Sequence, residues 1–483
     1  MVTKSIKIYR LFAAIAPLLL NACTVGPDYQ RPQTIVATEF KALKGWTQAQ
    51  PRDQEIPDQW WRLFNDPYLN GLTAQVNLSN QTIAQAEAQY RQAQALADNA
   101  NAAFLPTVSA TASANRFRAA SGQNLVVSGV KNLFNGGLSI SWEPDIWGRI
   151  RRQTEASNRT AQASAAILQA LRLSTQALLV QNYFQLRTAD AQIALLTRTL
   201  TAYDKTLKIL QNRYNAGVVA KADVVQAETQ LETTRALAIN LGVQRAQWEH
   251  AIAVLIGKSP AQLTITAAPL SAIVPLIPLA IPSQLLERRP DIAAAERQTA
   301  AANAQIGVAQ AAYYPRLNLA ASDGTQANDV TNLLSTAANY WALGPAALAL
   351  PLFDGGARNA QLSAAKHNFA ATVAAYRQTV LTGFREVEDA LAALRIQAQE
   401  AEVLDKAVVS ARLALALNTN QYQAGTVSYL NVMTAQTQAL ANEQTAVSLQ
   451  GQRLIVTVQL IKALGGGWEA QGKAARKIEK KTE

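Results

Sequence analysis

The sequence predicts an α+β membrane channel whose chain consists of two tandem structural repeats. Three observations support this class. A motif around a single glycine occurs twice at a fixed spacing, long helical patterns flank each copy, and two pairs of short segments alternate polar and apolar residues. A spacing that persists along a chain indicates duplication, and strict alternation is typical of strands with one polar and one apolar face.

The duplicated motif spans residues 213–230 and returns 208 positions later at 421–438. The copies agree at Tyr214 and Tyr422, Ala216 and Ala424, Gly217 and Gly425, Val219 and Val427, Val224 and Val432, Ala227 and Ala435, Thr229 and Thr437, and Gln230 and Gln438. Each copy interrupts a helical pattern with one glycine, which can end a helix in the left-handed conformation. Asp223 and Asn431 follow as candidate caps of the next helix. Each copy therefore predicts the bend of a helical hairpin.

Element boundaries follow from changes of period and from the positions of proline and glycine. Repeat 1 covers residues 66–258, with helix 66–104 capped by Asp66, strands 107–117 and 134–143, helix 149–214, tip 215–222 and helix 223–256. Repeat 2 covers residues 283–464, with helix 283–313, strands 316–322 and 341–352, helix 357–422, tip 423–429 and helix 430–464. A proline-rich linker, 259–282, joins the repeats, and a tail, 465–483, ends the chain.

The helix that follows each strand pair is predicted to be long and to pack as a coiled coil. Residues 149–213 contain neither glycine nor proline, and such a helix would extend about 100 Å. Residues at 4-3 spacing are Leu196, Leu200, Tyr203, Leu207, Leu210 and Tyr214 in the first copy, and Leu404, Val408, Ala411, Leu415, Asn418 and Tyr422 in the second. This seven-residue repeat predicts a left-handed coiled-coil seam in each repeat.

The four predicted strands require more than one chain. Aromatic residues cluster at both ends of the strands, as in the interfacial girdles of transmembrane β-barrels. The alternative is two hairpins packed on a soluble core, but no other segment offers an apolar face for them to cover. Four strands cannot close a barrel, and an open edge in lipid leaves backbone groups unsatisfied. Two, three or four chains would close the sheet equally well by this argument.

The amino terminus resembles a bacterial lipoprotein signal. Residues 1–22 carry three basic residues followed by an apolar run that is too short to span a membrane as a helix. Cys23 follows Leu20-Asn21-Ala22 as in a lipobox, so we expect a signal peptide over 1–22 and acylation of Cys23, including palmitate. Residues 23–65 are predicted to form an extended arm that packs through a few aromatic side chains.

The composition disfavours several other classes of protein. A single cysteine allows no disulfide, and the two histidines lie in separate helical patterns, so no metal site is predicted. We find no catalytic triad, carboxylate pair or nucleotide-binding loop, and expect neither enzymatic activity nor a cofactor. The net charge is +11, but the basic residues are scattered, so nucleic-acid binding is not expected.

Motifs along most of the chain resemble the TolC-like outer-membrane factor family, specifically the NodT-type lipoprotein channels of RND drug-efflux systems. The matching stretches are residues 23–29 (CTVGPDY), 60–69 (WWRLFNDPYL), 281–292 (IPSQLLERRPDI), 301–308 (AANAQIGV), both Tyr-x-Ala-Gly bends and 463–468 (ALGGGW). The resemblance implies a homotrimer. It also implies a twelve-stranded barrel in the lipid of the outer membrane and a helical barrel that extends into the periplasm.

The resemblance implies a function and the residues that serve it. The chain would be the exit duct of a tripartite efflux pump, passively conducting small organic compounds such as antibiotics, and would assemble with a periplasmic adaptor and an inner-membrane RND-type pump. The adaptor-docking tips would be Gly217, Val218, Val219, Gly425, Thr426 and Val427. Polar contacts of Asp223 and Tyr422 would hold the closed state, and Leu430, Asn431 and Thr434 would form the gate. Relatives commonly have an aspartate ring there, so this gate is expected to be neutral.

Two other functions stay open from the sequence. One is the outer-membrane duct of a protein-secretion system, because a duct encodes little about its cargo. The other, of a different class, is a periplasmic lipoprotein adaptor. An adaptor would carry one helical hairpin within small β-domains, whereas this chain has two hairpins and four candidate membrane strands.

Overall fold

The structure is a computed structural model that describes residues 24–34, 41, 59–118, 130–271, 273–275, 277 and 289–466. The signal peptide, Cys23, most of the amino-terminal arm and the tail beyond residue 466 lie outside the described residues. The chain divides into two compact units. Unit 1 contains residues 1–33, 90–164 and 295–376, and unit 2 contains residues 34–89, 165–294 and 377–483.

The described elements occur in an order that repeats once. In the first repeat they are α1 (Pro67–Ser79), α2 (Gln81–Ala102), β1 (Thr107–Arg118), β2 (Val130–Trp142), α3 (Arg149–Asn215) and α4 (Lys221–Leu255). In the second they are α5 (Pro290–Ala311), β3 (Arg316–Ala327), β4 (Asn339–Ala349), α6 (Ala357–Gln423) and α7 (Tyr429–Ala463). A 3-10 helix, Trp60–Phe64, precedes α1 and buries both of its tryptophans. Both repeats therefore contain two strands, a long helix and a return helix.

The single helix expected over 66–104 is two helices, so this prediction is wrong in detail. Asp66 caps α1 as expected, accepting from the backbone N–H groups of Tyr68 and Leu69. The break falls at Asn80, which is extended rather than helical. Its side-chain oxygen accepts from the N–H of Ile83 (3.0 Å), and its amide donates to the carbonyl of Leu255 (2.8 Å). Asn80 is thus held out of the helix by one local and one distant hydrogen bond.

The strand limits also differ from the expected ones. β2 begins at Val130 rather than at residue 134, because the ladder with β1 continues to the pair Arg118–Val130. β3 continues to Ala327 rather than to 322, and β4 spans Asn339–Ala349 rather than 341–352. Pro351 lacks the N–H that a further pair in β4 would need.

The caps proposed for the return helices are wrong. α4 and α7 begin at Lys221 and Tyr429, and their N-cap residues are Ala220 and Ser428, neither of which makes a side-chain cap bond. Asp223 and Asn431 lie inside the first turn of their helices. An acid at that place in α4 still interacts favourably with the helix dipole. The expected start of α5 at residue 283 lies outside the described residues.

The described sheet of unit 1 is antiparallel, with strand order β1-β2-β3-β4. Its register separates two faces. Val108 pairs with Ile140 and Ala110 with Leu138 on one face. On the other, the side chain of Asn135 donates to Ser113 (3.3 Å) and that of Ser141 to Asn318 (3.2 Å). The apolar face is exposed in the single chain, with Leu343 85% accessible. The predicted alternation is confirmed, and an exposed apolar face of this kind is typical of a surface that contacts lipid or another protein.

The coiled-coil seam lies in unit 2. Leu196 and Leu210 of α3 are fully buried, and Tyr203 and Leu207 nearly so, whereas Tyr214 is exposed. The seam of α3 therefore ends one turn before the bend. The equivalent positions of α6 are half-buried. By length and composition α3 could also cross a membrane, and 44% of its most apolar window is buried in the protein.

A buried ionic network holds the linker against the helices of unit 2. The side chain of Arg187 pairs with Asp190 (2.9 Å), which also accepts from Arg245 (2.6 Å). Each arginine donates to a linker carbonyl, Arg187 to Thr266 and Arg245 to Ile265. Because the arginines satisfy both the carboxylate and the linker backbone, the buried charges are compensated.

Candidate functional site: the helical bends and the arm after Cys23

The two bends have the same backbone hydrogen bonds. In the first, Val218 N–H donates to the carbonyl of Arg213 (2.9 Å) and Gly217 N–H to that of Tyr214 (2.8 Å). In the second, Thr426 donates to Gln421 and Gly425 to Tyr422, both at 3.0 Å. This pair of bonds is the Schellman motif, which satisfies the last carbonyls of a helix. The glycines have φ of +75° and +76°, so the bend prediction is confirmed.

Glycine is required at each bend by conformation and not by space. A Cβ added to Gly217 or Gly425 would meet no atom within 4 Å. Only the positive φ opposes a larger residue. The copies differ at the next position, where the Thr426 hydroxyl also donates to the carbonyl of Gln421 (3.0 Å). Val218 has no hydroxyl, so the first bend lacks this additional bond.

The residues expected at the docking tips lie together on their bends. Gly217, Val218, Gly425 and Thr426 are exposed, and Val219 and Val427 are half-buried. Val218 is 62% accessible, so the first bend carries an apolar side chain at its surface. Each bend thus exposes the backbone of its glycine and the side chain that follows it, Val218 or Thr426.

A hydrophobic cluster from four helices supports the bends. Its buried members are Tyr203, Leu207 and Leu210 of α3, Ala227 and Leu231 of α4, and Tyr429 and Val432 of α7. Leu415 and Tyr422 of α6 pack against it. The two hairpins therefore share one core near the bends. We expect a displacement of one hairpin to be transmitted to the other through this cluster.

Asp223 and Tyr422, expected to hold the closed state, influence each other electrostatically, but the buried Tyr422 hydroxyl forms no hydrogen bond with any described residue. The guanidinium of Arg213 lies over the Tyr422 ring at 5.3 Å, and the Tyr429 ring packs edge-on at 5.7 Å. Burial, followed by the neighbouring tyrosines and the Asp223 carboxylate, raises the pKa of Tyr429 to about 12. Burial also raises the pKa of Tyr422. The Asp223 carboxylate adds to this increase, and the Arg213 guanidinium opposes it. The sequence patterns gave Arg213 no role, although its replacement by Gln421 in the other copy distinguishes the two bends.

The expected gate residues lie at the start of α7, on a face without a partner among the described residues of the chain. Leu430 is 52% accessible, and Asn431 and Thr434 are also exposed. Tyr429 and Val432, on the opposite face, are buried in the cluster. The hydroxyl of Thr434 is satisfied by the carbonyl of Leu430 (2.9 Å). This face of α7 is therefore open to contact with another molecule.

A second candidate site is the seat of the arm in unit 1. Cys23 lies outside the described residues, but those that follow it are fixed. The N–H of Val25 donates to the carbonyl of Trp147 (3.2 Å). The buried Arg152 side chain donates to the carbonyl of Gly26 (3.2 Å) and to Asp28 (2.7 Å). A Cβ on Gly26, whose φ is +104°, would lie 2.5 Å from the Cα of Gly307.

Further contacts continue this seat. The Asn303 amide donates to the carbonyl of Pro27 (2.8 Å), and the Arg31 side chain donates to the Tyr376 hydroxyl (3.1 Å). Burial and the nearby Glu296 carboxylate raise the pKa of Tyr29. Aromatic packing of the arm was predicted from the sequence, whereas the contacts of Arg152 and Asn303 were not. Gly307 was visible within the 301–308 motif, yet nothing local indicated what it contacts.

Comparison with known proteins decides the family. The sequence model of the outer membrane efflux protein family matches residues 72–258 and 281–466. The chain belongs to this family.

Relatives and solved structures agree with this assignment. The chain is 32% identical over 469 residues to the outer membrane protein OprJ of Pseudomonas aeruginosa, with 95% of each chain covered. It is 30% identical over 467 residues to the probable efflux pump outer membrane protein TtgC of Pseudomonas putida, with 95% of this chain and 96% of TtgC covered. It superimposes on the outer-membrane channel OprN with a TM-score of 0.88 and 32% identity, covering 93% of this chain and 100% of that one.

Membership in the outer membrane efflux protein family fixes fold and location. The protein is an α+β channel of the TolC-like type and is located in the outer membrane, with its strands in the bilayer and its helices in the periplasm. The resemblance drawn from the sequence motifs is confirmed. The family is one of outer-membrane channels, which favours a duct over a periplasmic adaptor.

Proposed function

We propose that this protein is the exit duct of a tripartite efflux pump, passively conducting small organic compounds, including antibiotics, from the periplasm to the exterior. Its family and its similarity to TtgC, a probable efflux pump outer membrane protein, support this proposal. The observation that carries it is the pair of Schellman bends with exposed docking residues, each followed by a helix. A rigid, exposed helical turn, present twice, suits the docking of another helical protein.

The working unit in this proposal is a homotrimer. β1 and β4 each pair with one strand only in the described sheet, so a single chain leaves two edges open. Three chains joined edge to edge would make a closed barrel of twelve strands, which removes every unsatisfied edge from the lipid. The exposed apolar face would then contact the bilayer and the Ser/Thr/Asn face would line the duct.

A periplasmic adaptor would dock on the bends. The exposed residues Val218 and Thr426 would be the contacts, with Gly217 and Gly425 allowing close backbone approach. An inner-membrane RND-type pump would supply energy, since the duct only conducts. Opening would displace the hairpins, and the Arg213, Asp223 and Tyr422 contacts would hold the closed state.

The gate would consist of three copies each of Leu430, Asn431 and Thr434. Their unpartnered face on α7 supports this placement. Leu430 would supply an apolar ring that opposes water entry, and the two polar residues neutral rings. The equivalent positions in the first repeat hold Ala222, Asp223 and Gln226, so an acid occurs only in the other hairpin.

Acylation of Cys23 would anchor each protomer in the membrane. The arm seat supports this, because Thr24 packs on Gly148 immediately before α3, where a Cβ would lie 2.7 Å from the Thr24 methyl. Acyl chains contribute about 0.8 kcal/mol per buried CH₂. The anchor would therefore hold a protomer at the membrane before its barrel closes.

The test combines accumulation with site-specific crosslinking. In a strain lacking the chromosomal copy, we expect wild-type protein to restore low accumulation of a fluorescent efflux substrate. A photo-crosslinking amino acid at Val218 or Thr426 should capture the adaptor, whereas the same amino acid at the exposed Val403 of α6 should not. If wild-type protein left substrate accumulation as high as in the deletion strain, and the adaptor were captured only at Val403, the proposal would be contradicted. A secreted protein retained in the periplasm, with normal accumulation, would favour the secretion duct instead.

A further inference from the structure

The first hairpin carries basic residues without any acid. Between residues 107 and 142 the charged residues are Arg116, Arg118 and Lys131, and the connecting segment 119–129 contains no aspartate or glutamate. No described residue forms an ion pair with these three side chains. The positive charges of Arg116, Arg118 and Lys131 therefore have no acidic partner within residues 107–142.

The strand register places these charges on different faces. Arg116 pairs with Asn132 and Arg118 with Val130, continuing the apolar face that contains Ala114 and Phe134. Lys131 pairs with Phe117, on the face that carries the serines and threonines. Two arginines thus face outward with the apolar surface, and the lysine faces the polar side.

Both arginines lie at the strand end remote from the helices. β1 begins five residues after α2 ends and β2 ends seven residues before α3 begins (Ala102 to Thr107, Trp142 to Arg149). Since the helices are periplasmic, the Arg118–Val130 end is on the outer side of the membrane. Both arginines are exposed there. Arginine on the lipid face of a barrel costs about 2–4 kcal/mol at the midplane but about 0–1 kcal/mol near an interface.

The surface below the arginines fits an acyl chain. Ala110, Ala112 and Ala114 form a shallow strip on β1, bordered on β2 by Leu138 and Phe134. Leu138 is more than half exposed. An amphiphile with its chains on this strip would have its headgroup beside the two guanidinium groups. A free anion would contact only the arginines and would leave the alanine strip uncovered.

We propose that Arg116 and Arg118 bind the phosphate of a phosphorylated glycolipid in the outer leaflet. Residues two apart on one strand face are separated by about 7 Å, so both planar forks can reach one phosphate bidentately. A phosphomonoester carries about −1.5 to −2 charges, which matches two guanidinium groups better than the single charge of a phospholipid phosphodiester. This site concerns the membrane rather than the cargo, so it goes beyond the proposed efflux function.

The test measures lipid retained by the assembled protein. Wild type, the double variant Arg116→Gln/Arg118→Gln and the control Lys131→Gln would be placed in phosphatidylcholine nanodiscs containing bisphosphorylated lipid A, and bound lipid counted by native mass spectrometry. Loss of charge-assisted hydrogen bonds should weaken retention about tenfold or more in the double variant. Lys131→Gln, which removes one positive charge on the opposite face, should bind like wild type.

Three comparisons on wild type complete the test. Retention should fall with added salt and on dephosphorylation of the lipid, and phosphatidylglycerol should be retained less. The proposal would be overturned if the double variant retained as much lipid as wild type, if Lys131→Gln lost as much as the double variant, or if dephosphorylation of the lipid left retention unchanged. Equal retention of phosphatidylglycerol would overturn the assignment to the glycolipid.

If the double variant does not assemble, Arg116→Lys/Arg118→Lys keeps the charge without the planar fork and should bind with intermediate strength. Binding by this variant equal to that of wild type would count against bidentate contact. Substrate accumulation, measured separately, tests the efflux proposal independently.

Discussion

Glycines in this protein serve different physical purposes. Gly217 and Gly425 have open space around the position of a Cβ and are needed for a positive φ. Gly26 also has a positive φ, but a Cβ there would collide with Gly307. A substitution at a bend therefore strains only the backbone, whereas a substitution at Gly26 would also displace the arm. The two cases call for different control variants.

Gly425→Val should impair efflux while Gly425→Asn should not. An L-residue in the left-handed region costs about 1–2 kcal/mol and a β-branched one more, whereas asparagine tolerates it. The bend lies in unit 2 and the strands in unit 1, so trimers should still form. Substrate accumulation and native electrophoresis check this. Normal efflux by Gly425→Val, or equal loss in Gly425→Asn, would show that the bend conformation is not what the adaptor needs.

Single residues at element ends explain where the sequence-based boundaries fail. The helical pattern of 66–104 continues through Asn80, and the bond from its amide to Leu255 joins residues 175 positions apart. No local pattern reveals such a contact. The bends, by contrast, follow from glycine stereochemistry and are predictable. Asp223 and Asn431 were good cap candidates by residue type, but the Schellman bonds use up residues 217–218 and 425–426 and allow the next helix to begin earlier.

Asn80→Ala should destabilise the junction of α1 and α2. It removes the cap acceptor for Ile83 and the donor to the Leu255 carbonyl, a loss of about 1–2 kcal/mol. Asn80→Asp keeps the acceptor for Ile83 but places a carboxylate oxygen against the Leu255 carbonyl, so it should lose at least as much as Asn80→Ala. Thr82→Ala, at an exposed neighbouring position, is the control. Thermal melting followed by circular dichroism is the measurement, and equal melting of Asn80→Ala and Thr82→Ala would refute the role assigned to the cap.

The cluster below the bends should make the protein sensitive to alkali. Because the pKa of Tyr429 is raised from its usual 10.0 to about 12, the unfolded chain loses this proton first. Stability from this group is therefore complete below pH 10 and is lost as the pH rises towards 12. Tyr429→Phe cannot ionise, so its thermal midpoint should fall less than that of wild type over this range. An identical pH profile for both proteins would mean that Tyr429 is not the group responsible.

At the scale of the whole molecule, the sequence shows that chains must associate but not how many. Four predicted strands are too few to close a barrel, whereas the number of chains depends on strand tilt and stagger. Likewise, the arm seat joins Gly26, Arg152 and Asn303 from three distant segments, which no local pattern predicts. Local chemistry is thus readable from the sequence, and contacts that close loops of a hundred residues or more are not.

Cys23→Ser should leave the protein unacylated but able to form trimers. The cysteine and the strands are separate segments, and edge pairing rather than the anchor closes the barrel in our proposal. Metabolic labelling with palmitate measures acylation, and native electrophoresis measures assembly. Label on the Ser variant would disprove the lipidation site, and a population of monomers alone would show that the anchor is needed for closure. Thr24→Ser, adjacent to the cysteine, is the control.

The neutral gate gives the last prediction. If three copies of Leu430, Asn431 and Thr434 surround the axis, Asn431→Asp would place three carboxylates there. These would focus a negative potential and bind cations, since a bound cation relieves their mutual repulsion. We expect higher cation selectivity and stronger block by trivalent cations in planar-bilayer recordings of Asn431→Asp than of wild type.

Two further variants distinguish the effect of negative charge at the gate from the effect of the gate's width. Leu430→Ala should raise resting conductance with little change in selectivity, because it widens the apolar ring without adding charge. Gln423→Glu adds the same charge before the second bend, on an exposed position outside the gate, and should leave the block by trivalent cations weak. If wild type is already blocked strongly from the periplasmic side and Asn431→Asp changes nothing, the constriction is formed by other residues, and the exposed face of α7 must then contact something other than the axis.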